Sequence, residues 1–521
     1  MKKRFSAFLS VCLILLAATA PSLSAQEPYK TPPKEILDIL NAPPTPRVAM
    51  SPDRTRMLLV ESESMPTIDT LSQPLLRLAG MRITPANNSR QVMVFNTKLT
   101  LKTIQDGRDV DINLPEGAKF TSPALSDDGK WIAFARYTDA GVELWLADTA
   151  TGAAKALTPA RLNMVLGDIT WLPGNGSILV QMIPENRGPA PVESRIPIGP
   201  IVQVSGGKQT KVATYQDLLK SPHDEALFEY YATSQLAAVD IATGRIQAIG
   251  APGIYNGVDP APDGKFLIVE RIKRPFSYSV SADDFARTTE IWDPSGKVVK
   301  VLADLPPAED VPMNGVPTGP RSVSWQTLKP ATVLWVEALD GGDPQRAAEF
   351  RDKLLALDAP FTGEPREALK TKERFGGLSY FQTPGLALAT EFNRRAFKQV
   401  TWLVNLDNPA VAPRKIFDLN TQDAYANPGS PVQGLVNGQR MILQDKDWIY
   451  LSGQGASPKG DRPFLDRMNI KTGEKQRLFQ CVDGKYQSFV GFFGPKRDDI
   501  IISQESTSEV PNYHLLTLKS K

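Results

Sequence analysis

Three clusters of charge along this chain have the residue types needed to recognise a peptide. The first is Arg271, Lys273 and Arg274, in the run Arg271-Ile272-Lys273-Arg274-Pro275-Phe276-Ser277-Tyr278. Strand alternation puts Arg271 and Lys273 on one face, where cations grip a peptide carboxylate through charge-assisted hydrogen bonds. Arg77 and Arg82, in Leu75-Leu76-Arg77-Leu78-Ala79-Gly80-Met81-Arg82, make a second pair of the same kind. The third cluster is acidic: Asp224, Glu225 and Glu229 lie in a segment of helical composition that could aim them inward from a rim. Each cluster also has a plain structural reading, as exposed strand-end charges or a solvated helix face.

Machinery for hydrolysis is harder to find. A Ser-His-Asp site needs a histidine to take the serine proton, and the only two are His223 and His514. The former sits in a loop beside Asp224 and the latter close to Lys521; both read as surface or structural residues. Gly-x-Ser-x-Gly does not occur, nor does either phosphate-binding glycine motif. Two isolated histidines and one cysteine outside the leader make no typical zinc site, and no EF-hand spacing of carboxylates appears. The acid pairs Asp127-Asp128 and Asp498-Asp499 fall in turns. No cofactor is expected.

The elements that must position these residues are strands. Eight times a β-rich run breaks at a Pro/Asp/Gly turn and resumes, most clearly at Ser126-Asp127-Asp128-Gly129-Lys130-Trp131 and Pro262-Asp263-Gly264-Lys265-Phe266. Asp-Gly suits a tight hairpin because Gly tolerates positive φ and Asp bonds its own backbone. A closing hairpin recurs as well, at Asp148 with Thr151-Gly152, Asp240 with Thr243-Gly244, Asp293 with Ser295-Gly296 and Asn469 with Thr472-Gly473. Repeated hairpins without intervening helices predict an all-β fold, a seven- or eight-bladed β-propeller. A short N-terminal lead-in and a rim helix inserted in the third module complete the expectation. Tyr215–Lys220 and Asp224–Tyr231 read as helical in composition, and residues 344–357 fit either a helix or a strand.

Residues 1–25 are expected to be a signal peptide, 26–46 a lead-in segment and 47–521 one propeller domain. Lys2, Lys3 and Arg4 precede the apolar run Phe8–Ala20, with cleavage expected after Ser24 or Ala25. The mature chain would be periplasmic or secreted, with no membrane association after cleavage. Removing the three leader cations takes the balance from 59 basic and 57 acidic residues to 56 against 57. A net charge near −1 gives no electrostatic case for nucleic acid. Cys481 would be the one remaining cysteine, leaving stability to the core.

Four separated strings resemble a known family: Leu76–Ile83 (LRLAGMRI), Asp224–Gln235 (DEALFEYYATSQ), Arg274–Tyr278 (RPFSY) and Gly455–Phe464 (GASPKGDRPF). They look like the N-terminal half of glutamyl endopeptidases, members of the prolyl-oligopeptidase family of serine peptidases. The resemblance implies a propeller that admits peptides to a C-terminal α/β-hydrolase domain carrying the triad. No triad residue can be carried over to this sequence. The expectation is therefore a non-catalytic, substrate-gating propeller, inactive alone, whose partners are a peptide substrate and that hydrolase domain. A stand-alone exported propeller that binds peptides or an envelope partner is the alternative.

Overall fold

The computed structural model describes residues 30–194, 196, 199, 214–436 and 438–518; the expected signal peptide lies outside them. The chain divides into two compact units, Met1–Pro43 and Pro44–Lys521. In the first, Lys34–Leu40 is helical as its composition predicts.

The second unit is a succession of antiparallel meanders, each paired in chain order. Blade two shows the rule, with strands Lys119–Leu125, Trp131–Thr138, Gly141–Asp148 and Ala154–Ala156 running from inside to outside. Its first turn is built as the sequence suggests. Gly129 takes φ 69°, Ser126 Oγ donates to Asp128 Oδ1 at 2.7 Å, and that carboxylate accepts from Lys130 N at 3.1 Å. Its closing turn has Asp148 Oδ1 accepting from Ala150 N and Thr151 N, both at 2.8 Å. Repeating the rule gives eight blades, at residues 47–111, 119–156, 170–253, 254–305, 321–371, 374–420, 430–480 and 486–517. Strand Ile246–Pro260 is shared, closing blade three with its first half and opening blade four with its second. The last blade has three strands among the described residues, the others four or more.

A radial sheet buries both faces only against its neighbours. Seven separate apolar clusters fill the seven interfaces between consecutive blades, from Leu58, Leu99 and Phe134 between one and two to Tyr450, Phe492 and Ile500 between seven and eight. The ring closes between blades eight and one by Gly494 N to Arg54 O (3.0 Å), Tyr513 Oη to Pro46 O (3.0 Å) and the approach of Met50 to Gly491.

Because strands alternate in direction, every turn between first and second strands lies on one face of the ring, the turn face. Every connection between second and third strands lies on the other, the loop face. In blade two this connection is a tight turn at 139–140, but in blades one, three, four, five and seven it is long: 63–95, 183–233, 273–286, 339–351 and 454–463. The loop of blade five is anchored by buried charges. Arg374 reaches Asp340 at 2.7 Å and Asp352 at 2.9 Å, Arg351 reaches Asp340 at 2.7 Å, and Arg321 reaches Asp352 at 2.6 Å.

The inner strand of blade seven is interrupted. It pairs as Ser430–Pro431, leaves as the hairpin Gln433–Val436 and Gln439–Ile442, and resumes at Gln444–Asp445, the gap stitched by Leu443 N to Val432 O at 2.9 Å. A hairpin rooted on an innermost strand projects toward the ring axis. Gln433 Nε2 donates to Ser379 Oγ of blade six (3.0 Å), and Gln439 Oε1 accepts from Leu328 N in a turn of blade five (2.9 Å). Gly438 lies so close to the Asp127 carboxylate of blade two that a Cβ there would stand 2.2 Å from Oδ2. Reaching blades five, six and two from seven takes the hairpin across the axis at the turn face.

Two local readings change. Tyr215–Lys220 is irregular rather than helical, because Asp217 takes a left-handed conformation (φ 56°) that ends any helix there. The ambiguous segment resolves into a loop followed by strand Asp352–Asp358, whose Leu354, Leu355, Ala356 and Leu357 are all buried, as a strand covered on both faces requires.

Between blades four and five a groove of about 840 Å³ is lined by Asp259, Glu270, Arg287 and Arg321 among others. Glu270 pairs with Arg287 at 2.9 Å, whereas Asp259 has no ion-pair partner among the described residues, and desolvation pushes its carboxyl up to about 6. The folded state thus favours the protonated form. That contribution is whole below about pH 4 and is lost as pH rises through about 6. Asp259→Asn is expected to stabilise the protein at about pH 8 by about 1 kcal/mol, discounted because water reaches the side chain, and to change nothing at about pH 4. Urea unfolding at the two pH values checks this; an equal effect at both would contradict it.

Candidate substrate-recognition face

The four strings singled out in the sequence, hundreds of residues apart, all map to the loop face. Leu76–Ile83 belongs to the blade-one loop, Asp224–Gln235 to that of blade three and the first residues of its third strand, Arg274–Tyr278 to blade four and Gly455–Phe464 to blade seven.

Three of them pack into one body. The rim helix Pro222–Ala232 starts at Ser221, whose Oγ accepts from Asp224 N at 3.2 Å, with Pro222 at its first position. It ends with the Tyr231 carbonyl accepting from Asn88 and Asn163 side chains at 3.2 and 2.9 Å. Phe228, fully buried, stands edge-on to Phe276 and Phe285 at 5.0 and 5.5 Å between centroids. Leu78 and Ile83 of the blade-one hairpin complete this cluster. Ala282 N donates to Ala79 O at 2.8 Å, and Gly80 N to Asp217 O at 2.9 Å, fixing the hairpin tip.

The predicted charges are distributed over this body as follows. Arg274 bonds Glu225 at 2.5 Å and Glu229 at 2.9 Å, and its guanidinium lies 4.7 Å from the Phe276 centroid. Its charge is therefore more than balanced by two carboxylates. Asp224 accepts from Lys220 N at 2.7 Å and serves the helix start rather than pointing inward. Arg271 bonds Glu290 at 2.8 Å and lies over Trp292, and Lys273 pairs with Asp304. Arg77 and Arg82 face each other across the Leu76–Leu78 and Met81–Thr84 strands and share one carboxylate, Asp217, at 3.9 and 3.1 Å. Both stay about half exposed. Two guanidiniums on one acid leave a surplus positive charge open to solvent. Among the candidate cations, this is the pair with fewer carboxylate partners than guanidiniums.

Two members of the site escaped the sequence reading. Asp217 lay within a stretch read as helical, and only its left-handed turn brings it to the arginines. Tyr278 lies beside Glu225, and desolvation, followed by its bond to that carboxylate, pushes its hydroxyl up to about 12. His223 is the second residue of the rim helix, and His514 is exposed on the last strand.

A ring of radial sheets with its elaborated loops on one face defines a propeller-type all-β protein. The chain is homologous to proteins named probable glutamyl endopeptidase, chloroplastic. It is 36% identical to that of Oryza sativa subsp. japonica and 34% identical to that of Arabidopsis thaliana, each over 94% of this chain. It spans 56% and 54% of those relatives, about half their length. No family model matches the chain. Among solved structures, one from a study of two prolyl endopeptidases aligns with 92% of this chain and 57% of its own, at 12% identity and a TM-score of 0.45.

Proposed function

We propose that this chain is the substrate-admitting propeller of an exported serine peptidase of the glutamyl-endopeptidase type, and that it does not cleave peptides by itself. The observation that carries the reading is that all four family-like strings lie on one face and that three of them pack into a single body bearing Arg77 and Arg82. Export rests on the leader pattern of residues 1–25, and catalysis would be supplied by an α/β-hydrolase domain. The role of the propeller is to present acidic side chains: a peptide glutamate would displace water at Arg77 and Arg82 and form charge-assisted bonds.

Two measurements test this. The purified chain is expected to leave a fluorogenic glutamyl peptide intact; hydrolysis stopped by a serine-directed inhibitor would overturn the reading. In the peptidase containing this propeller, Arg77→Glu with Arg82→Glu should raise KM for glutamyl substrates by about ten-fold or more, with neutral substrates little affected. Equal losses for both substrate types would show the pair to be structural.

A further inference from the structure

The fourth family-like string stands apart from the rim body, in blade seven, and there it borders a second groove of about 630 Å³. Its walls are the 425–428 connection, the 455–462 loop, and the sheet face bearing Phe464, Asp466, Lys475 and Arg477. The register places Asp466 directly opposite Arg477 on neighbouring strands, which makes this a continuous patch of one sheet face.

The patch is basic and largely pre-ordered. Arg477 is bound to Asp466 and lies 4.4 Å from the Phe464 ring centroid. Arg462 donates through Nε and Nη2 to Cys481 O, at 3.3 and 3.1 Å, and reaches the exposed Asp483 at 3.3 Å. The loop that carries Arg462 and Lys459 is folded back tightly: Arg462 N donates to Gly455 O at 3.0 Å, and a Cβ on Gly455 (φ 62°) would stand 2.1 Å from Arg462 O. Lys459 and Lys475 are exposed and have no carboxylate partner among the described residues. Four cations thus meet two touching acids, with exposed Asp461 the remaining acid of the loop. Tyr425 adds an exposed ring at the mouth.

We infer that this groove binds an acidic, extended peptide segment, separately from the Arg77–Arg82 pair. The two ordered arginines offer planar donors already fixed in direction, so little rotamer freedom remains to be lost on binding, and the two lysines supply unneutralised charge. A length of sheet face flanked by two loops suits several residues of extended chain rather than one small anion. The inference stands on the groove's own geometry and holds whether or not the chain belongs to a peptidase.

The test is fluorescence anisotropy of a labelled glutamate-rich decapeptide with the purified chain at low and physiological salt. Binding should weaken with salt and be absent for the glutamine analogue. Lys459→Glu with Lys475→Glu, both exposed, should weaken binding by about ten-fold or more, while Arg77→Glu with Arg82→Glu leaves it within about two-fold. Unchanged affinity in the lysine variant, or an equal loss in the arginine variant, would overturn the assignment. So would competition by inorganic phosphate as effective as that by the unlabelled peptide, which would make the groove a simple anion site.

Discussion

Asp340→Ala is expected to lower the stability of the ring by about 3–5 kcal/mol, the loss typical of breaking a buried ion cluster and leaving its cations unpaired. The side chain of Asp340 is fully buried, and it accepts from Arg374, Arg351 and Gly342 N. Without it, Arg374, almost as deeply buried, keeps one carboxylate, Asp352, which Arg321 already shares, and a 3.3 Å bond to the Arg351 carbonyl. Burial pushes the Asp340 carboxyl up, but the bonds from Arg374 and Arg351 outweigh it and hold the group below the ordinary carboxylate range. This stabilisation is therefore present above about pH 4 and is lost as pH falls through the lowered value. Chemical denaturation at neutral pH should show the full difference between wild type and variant, and the difference should shrink in acid. A neutral-pH loss below about 1 kcal/mol would mean that the network contributes no more than surface pairs do.

Phe228→Ala should have a comparable effect, about 3–5 kcal/mol, with a different signature. Phe228 is the side chain through which the rim helix holds Phe276 and Phe285. Among the described residues, the ion pairs between the helix and the blade-four loop run through half-exposed Arg274, and such pairs contribute about 1 kcal/mol or less. The aromatic contact must therefore dominate the docking. Hydrogen exchange should show protection lost across 222–232 and 274–285, with the outer strands of blades five and six unchanged. Arg274→Ala, in contrast, should leave the helix protected. Helix release in Arg274→Ala and not in Phe228→Ala would reverse this ranking.

Much of the fold could be read from local chemistry. The Ser-x-Asp-Gly and Asp-x-x-Thr-Gly turns form from contacts two to four residues apart, so the sequence displays them directly. What it hid was long-range. Arg274 meets Glu229 across 45 residues and Arg82 meets Asp217 across 135, so each cluster was visible by type but its pairing was not. The acids and the cations were read as separate candidates, yet the structure sets Glu225 and Glu229 against Arg274. The Gln433–Ile442 hairpin went unnoticed because its short strands look like an ordinary pair; only the broken inner strand of blade seven reveals its direction.

That hairpin bears on traffic. Any polypeptide slipping in past the elaborated loops meets Gln433, Gly438 and Gln439 before it can emerge among the tight turns beyond. If peptides enter at the loop face as proposed above, entry and exit would share a single mouth, making the interior a cul-de-sac rather than a tunnel.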